Sequence, residues 1–177
     1  METLACIRER RDIRSYKPDP ITDEAARALL KAAAEAPSSG NLQNWEFILV
    51  RKYETKKALS EASLGQGFIA EAPLVIVVCA NLDLVAPKYG GRGRDLYSVQ
   101  NTAAAAENLM LAAWDSGIGA CWVGAFNEGD VRRLLNMPEN IRPVAIITMG
   151  YPAETPEKPA RRPVEEVMHK ELYGGRA

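Results

Sequence analysis

The 177-residue chain has little with which to build a covalent or metal-held framework. Its three cysteines, Cys6, Cys79 and Cys121, are odd in number, far apart and include no Cys-x-x-Cys pair. That argues against a disulfide scaffold, a structural zinc and a cysteine-ligated iron–sulfur cluster. A single histidine, His169, leaves no basis for a histidine-rich metal site. Charge is balanced at −1, with 22 Lys plus Arg against 23 Asp plus Glu, so no global field draws in nucleic acid or an anionic membrane. Any anion site must be local. No stretch reaches the ~18 apolar residues of a membrane span, and residues 1–8 lack the apolar core of a signal peptide. The expectation is a cytoplasmic protein. With 47% hydrophobic residues, the chain is long and apolar enough for one domain over 1–177 with a substantial core.

Hydrophobic spacing and breakers order the chain. Leu4 and Ile7 suggest a helix within 2–10. Thr22 reads as an N-cap, with Asp23 and Glu24 in the first turn and Leu29, Leu30 and Ala33 on the apolar side of a helix ending near Ala36. Strands are expected at 45–50, 74–80, 119–126 and 143–151, and helices at about 54–63, 97–116 and 130–137. Residues 74–80 are apolar without alternation, which predicts a strand buried on both faces by flanking helices. Residues 81–95, with Pro87 and Gly90-Gly91-Arg92-Gly93, read as the least regular region and a flexible lid. Those glycines do not have the spacing of a dinucleotide fingerprint. The tail from 152 to 163 carries four prolines with Lys158, Arg161 and Arg162, and should wrap the surface. His169 is placed in a last short helix, where a lone histidine is more often a surface residue than a proton donor.

Two stretches have more chemistry than packing requires. In Pro37-Ser38-Ser39-Gly40-Asn41-Leu42-Gln43-Asn44, Pro37 stops the helix before it. The side chains then offer hydroxyl donors, amide donors and amide acceptors, which suits a flat heterocycle with a mixed polar edge. The same residues also make an ordinary turn. Arg10, Arg11 and Arg14 lie close enough in sequence to converge on one anion, or to form a solvated basic helix end. Gly124, at the end of the third strand, would let backbone approach a planar ligand, or simply mark a bulge.

Together these pieces could hold a ligand with a phosphate, a polar edge and a flat face. At this point the chain resembles the FMN-dependent nitroreductase family over nearly its whole length. The resemblance is carried by Arg10-Arg11-Asp12-Ile13-Arg14, by Pro37-Ser38-Ser39-Gly40-Asn41-Leu42-Gln43 and by Gly117-Ile118-Gly119-Ala120-Cys121-Trp122-Val123-Gly124. Gly150-Tyr151-Pro152 followed by Arg161-Arg162-Pro163 completes it. It implies an α+β fold with a mostly antiparallel central sheet flanked by helices, in an intertwined homodimer with FMN sites at the interface. By that likeness Arg10, Arg11, Asp12 and Arg14 of one subunit, with Arg161 and Arg162 of the tail, would surround the phosphate. Pro37, Ser38, Ser39, Asn41 and Gln43 would reach the flavin from the other subunit, and Val123 and Gly124 would face the ring near N5. Two positions depart from the pattern: Asp12 stands where Ser is common, and Asn101 where Asp is frequent.

The activity implied is a ping-pong oxidoreductase. NAD(P)H would reduce bound FMN and be replaced by a nitroaromatic, quinone or related small aromatic acceptor, with no side chain serving as nucleophile. Two other readings fit the scaffold: a flavin-binding or storage protein without turnover, and a specialised flavin-degrading or dehalogenating relative.

Overall fold

Residues 74–80 are apolar at every position because the strand they form is covered on both sides. In the computed structural model, which describes residues 2–175, β1 (Trp45–Val50), β2 (Leu74–Asn81), β3 (Gly119–Val123) and β4 (Ile141–Gly150) form one sheet in the order β1-β2-β4-β3. Every pairing is antiparallel. Successive side chains of β2 point to opposite faces, so its residues divide between two cores. Leu74, Ile76 and Val78 pack with Leu29 and Ala33 of α2 (Asp23–Ala34) and with Leu109 and Met110 of α6 (Ser98–Asp115). Val75, Val77 and Cys79 meet Leu59 of α3 (Tyr53–Ala62), Ile69 of α4 (Phe68–Glu71) and Val131 of α7 (Glu128–Leu134). Each Leu, Ile, Val or Met among them, fully removed from water, contributes roughly 1.5–3 kcal/mol of transfer free energy.

The helix ends follow local chemistry. The Thr22 hydroxyl accepts from Ala25 N–H at 3.2 Å, the expected cap of α2. At the far end of α6, Gly117 takes φ +75° and Ile118 N–H returns to the Ala113 carbonyl at 2.8 Å. Ala105, Ala106 and Ala113 of α6 lie in the core beneath the sheet, and small side chains let backbone come close. Its first two turns also bury Ser98, Asn101 and Thr102.

Three expectations need correction. Residues 81–95 are not an irregular lid. They form α5 (Leu82–Arg92) and a single π-helical turn, Gly93–Tyr97, that leads directly into α6. Asn81 caps α5 by accepting from Asp83 N–H at 3.2 Å, and Leu82 and Val85 are buried. These anchors outweigh Pro87 and the break at Gly90, whose φ of +56° interrupts the helix. Gly93 is a packing residue: a Cβ there would lie 2.7 Å from the Val85 carbonyl oxygen. The third strand ends at Val123 instead of running to 126, and His169 lies beyond the last helix, α8 (Val164–Val167). His169 Nδ1 accepts from Gly174 N–H at 3.2 Å.

Candidate functional site

The arginine cluster sits on an extended strap, residues 10–16, that follows α1 (Thr3–Glu9) and lies along the β3 edge of the sheet. Ile13 N–H donates to the Ala120 carbonyl at 2.9 Å, and Lys17 N–H to that of Tyr151 at 2.8 Å. Glu154 Oε1 accepts from both Arg14 N–H (2.5 Å) and Ser15 N–H (2.9 Å). The strap can lie this close because Gly119 and Gly150, paired across β3 and β4, have no side chains. A Cβ on Gly119 would come 2.6 Å from Ile13, and one on Gly150 would come 2.7 Å from Tyr16 and Pro73. Tyr16 is pinned beneath the strap, donating to the Ile13 carbonyl and lying 2.6 Å from Thr148 Oγ1. Burial raises its hydroxyl pKa well above the ordinary value. Two glycines within the motifs that carry the family resemblance therefore serve the strap.

The strap sorts its charges. Arg10 reaches Asp12 (3.3 Å) and Glu107 (3.8 Å), and Arg14 lies 4.0 Å from the other Asp12 oxygen with its guanidinium over the Phe68 ring at 5.8 Å. Asp12 thus stands between two cations, which offsets the repulsion its carboxylate would exert on an incoming phosphate. Arg11 turns the other way. Its Nη1 donates to the carbonyls of Arg8 (3.0 Å), Glu9 (2.5 Å) and Arg10 (2.9 Å), closing the C-terminal end of α1. Adjacent positions on an extended segment point to opposite sides, and sequence proximity could not separate Arg11 from Arg10 and Arg14.

Val123 is buried at the end of β3 and Gly124 is exposed just beyond it. A Cβ at Gly124 would meet only the Trp122 indole at 3.6 Å, so nothing within the chain requires glycine there. The structure adds Gln66, overlooked in the sequence. Its amide donates to the carbonyls of Ser63 (2.9 Å) and Ala125 (3.3 Å), beside Gly124, and Phe68 under Arg14 is two residues on. Its only signal was a polar side chain between two glycines.

The polar loop is built around a 3-10 turn, Ser39–Asn41. Gly40, Asn41 and Gln43 take φ of +57°, +58° and +48°. For the two non-glycine residues this costs on the order of 1 kcal/mol or more each. Ser38 Oγ accepts from Gln43 N–H at 3.0 Å, and Gln43 Nε2 donates to the Asn41 carbonyl and side-chain oxygens, both at 3.2 Å. Ser39 is tied to Asn101 of α6 twice: its N–H donates to Oδ1 at 2.9 Å, and its Oγ accepts from Nδ2 at 3.0 Å. Asn44, fully buried, accepts from the same Nδ2 at 2.8 Å. Pro37, Asn41 and Gln43 remain exposed and Ser38 and Ser39 are half-buried.

Within one chain these groups do not converge. The strap lies on β3, whereas the polar loop leads into β1 at the opposite edge, three strand spacings or about 14 Å away. Their anchors on α6, Glu107 for Arg10 and Asn101 for Ser39, are separated by about 9 Å along the helix and about 120° around it. Arg161 donates to the carbonyls of Pro159 and Ala160, and Arg162 pairs with Glu166, so both are engaged within the tail. As a donor set, the Arg10–Arg14 pair suits a phosphate, and the loop hydroxyls and amides suit a heterocycle edge. Thiol chemistry is disfavoured, since burial pushes the Cys79 and Cys121 thiols up to about 12 and about 11. Among the described residues no group of His, Cys, Asp and Glu could hold a metal ion.

An antiparallel sheet between two helical layers, with a basic strap on one edge and an amide loop at the other, defines an α+β fold, and comparison with known proteins identifies its family. The chain belongs to the nitroreductase family, whose profile matches residues 7–68 and 62–151. It is 41% identical to an Archaeoglobus fulgidus protein over 86% of this chain and 87% of that one; the relative's name, NADH dehydrogenase/NAD(P)H nitroreductase, is provisional. It is 30% identical to the FMN reductase [NAD(P)H] of Bacillus subtilis, over 97% of this chain and 74% of that one. Among solved structures, the NADPH:FMN oxidoreductase of Vibrio harveyi in complex with NAD+ superposes with a TM-score of 0.89 at 27% identity, over 97% of this chain and 77% of that one. A nitroreductase family protein of Streptococcus pneumoniae gives 0.88 at 25% identity, covering 96% and 100%. The chain is therefore an oxidoreductase of the NAD(P)H-dependent flavin type, with the fold that the sequence resemblance implied. No helix among the described residues is long and apolar enough to cross a membrane.

Proposed function

We propose that two copies of this chain bind FMN at their interface and pass electrons from NAD(P)H to a small aromatic or quinone-like acceptor. The observation that carries this reading is the placement of phosphate-type and heterocycle-type donors on opposite sheet edges, where one chain cannot close both on one ligand. A second copy related by a twofold axis can supply the missing half to each site. The tail supports such an assembly. Residues 157–174 are all exposed, including Val164 (60%), Leu172 (78%) and Tyr173 (94%), an apolar set without cover in the single chain.

In this arrangement Arg10 and Arg14 would offset the phosphate charge, with Asp12 setting their spacing. Ser38, Ser39, Asn41 and Gln43 would hold polar atoms of the flavin, and the bare Gly124 would let the ring lie close to the end of β3. Gln66 would add an amide at the same place. The redox chemistry itself, hydride uptake and delivery through N5, belongs to FMN when it is bound. The raised thiol pKa values of Cys79 and Cys121 fit a site in which no side chain acts as nucleophile.

The deciding experiment is an absorption spectrum of purified protein after FMN addition and desalting, followed by anaerobic NADH titration and size-exclusion chromatography. Retained flavin at about one per chain, bleaching on NADH addition and elution at dimer size are expected. A monomer that retains no FMN and shows no rise in melting temperature with added FMN overturns the proposal.

A further inference from the structure

The hydrogen bonds around Asn101 specify more than the position of the polar loop. Asn101 is 5% exposed, and its carboxamide oxygen and both amide hydrogens are engaged inside the protein. Its Oδ1 accepts from Ser39 N–H (2.9 Å), and its Nδ2 donates to both Ser39 Oγ (3.0 Å) and Asn44 Oδ1 (2.8 Å). The orientation of the carboxamide is unambiguous, because a backbone N–H can only donate and must face the oxygen. Nδ2 then faces Ser39 Oγ, and since the amide is the donor, the hydroxyl must accept. A hydroxyl that accepts internally retains its own proton for another partner. Ser39 is half-buried in the loop that also presents Asn41 and Gln43 to solvent, so that proton is available to a ligand.

We infer that Asn101 is a positioning residue that reserves the Ser39 hydroxyl as a hydrogen-bond donor to an acceptor oxygen of the bound flavin. This rests on the FMN reading above. Ser38 follows the same pattern, since its Oγ accepts from Gln43 N–H at 3.0 Å and its proton is likewise left over. Two adjacent serines thus turn lone pairs inward and keep protons for a partner. A loop so arranged is complementary to oxygen acceptors, which on a flavin mononucleotide means the ring carbonyls, the ribityl hydroxyls or the phosphate.

Asn101→Asp changes that polarity with little change of shape. One carboxylate oxygen still accepts from Ser39 N–H, but the other replaces the amide donor and claims the Ser39 proton. Asn44 can turn its own carboxamide over and donate to the new oxygen, giving up its long 3.5 Å bond to the Asn81 carbonyl. The loop stays tied, and Ser39 can then only accept from a ligand. Because the new carboxylate could also repel a phosphate through space, the test is a double-mutant cycle with Ser39→Ala, read by FMN and riboflavin dissociation constants and by the apo-protein melting temperature.

The expected result is about a tenfold weaker FMN affinity for Asn101→Asp, a similar loss for Ser39→Ala, and no further loss when the two are combined. Riboflavin weakened to the same extent places the acceptor on the ring or the ribityl chain; riboflavin unaffected places it on the phosphate. An Asn101→Asp penalty as large in the Ser39→Ala background as in wild type makes the effect one of charge or folding and overturns the inference. So does wild-type affinity in Ser39→Ala, which decides the matter even if Asn101→Asp fails to fold. Wild-type protein that binds neither flavin overturns the FMN reading itself, a failure visible before any variant is made.

Discussion

Replacing Gly119 with alanine tests whether the strap is held at the spacing the structure gives. The added Cβ would lie 2.6 Å from Ile13 Cγ1 and 2.8 Å from Ile13 Cβ, whereas carbon atoms at rest prefer about 3.5–4.0 Å. Ile13 is 1% exposed and tied to Ala120 by its N–H, so relief requires the strap to move outward by about an ångström. Overpacking of this kind costs about 1–3 kcal/mol, which for a chain of this size lowers the melting temperature by roughly 3–10 °C. The measurement is thermal unfolding of apo protein at a fixed concentration, because an oligomer's midpoint depends on it. Arg10 and Arg14 ride on the same strap, so FMN affinity should fall as well. A coupling is also expected: Ile13→Ala should cost less in the Gly119→Ala background than in wild type. A melting temperature within about 1 °C of wild type, with the two substitutions additive, would refute the close approach of strap and strand.

Arg14→Ala should weaken FMN binding by about tenfold to a hundredfold, the range for losing a charge-assisted hydrogen bond, while Arg11→Ala should leave affinity within about threefold of wild type. Equal losses measured by flavin titration at one ionic strength would mean that Arg11 leaves the end of α1 when the ligand binds. Tyr16 predicts a pH effect. Its folded pKa is raised by burial, so the folded state holds a proton that the unfolded chain releases near pH 10. The stability linked to this group is present below about pH 10 and is lost as pH rises further; Tyr16→Phe should therefore lose less stability than wild type between about pH 9 and 11. Parallel denaturation curves for the two proteins across that range would show that Tyr16 is not the group responsible.

Hydrophobic spacing is a local property, and elements with a strong local pattern were legible. The double-faced burial of β2, the Thr22 cap, the Gly117 stop and the length of α6 all followed from side chains within a few residues of one another. Residues 81–95 failed the same reading because proline and glycine outweighed two buried anchors, Leu82 and Val85, whose partners lie elsewhere in the chain. The roles of the glycines depend on neighbours distant in sequence. At 119 and 150 glycine admits the strap, at 93 it admits a carbonyl, and at 124 a Cβ would meet nothing closer than the Trp122 indole at 3.6 Å.

For the site, residue chemistry was readable and direction was not. The amino-acid order alone determined which positions carry guanidinium charge and which carry amide or hydroxyl donors and acceptors, because charge and hydrogen-bonding capacity belong to the side chain itself. Tertiary structure decided that Arg11 closes a helix while Arg10 and Arg14 share Asp12, and that Gln66 stands beside Gly124. It also decided that Asn101 sets the hydrogen-bond polarity of Ser39 from 62 residues away. Which way a side chain points depends on backbone dihedrals and on partners distant in sequence. Those are settled only when the sheet and its two helical layers close around them.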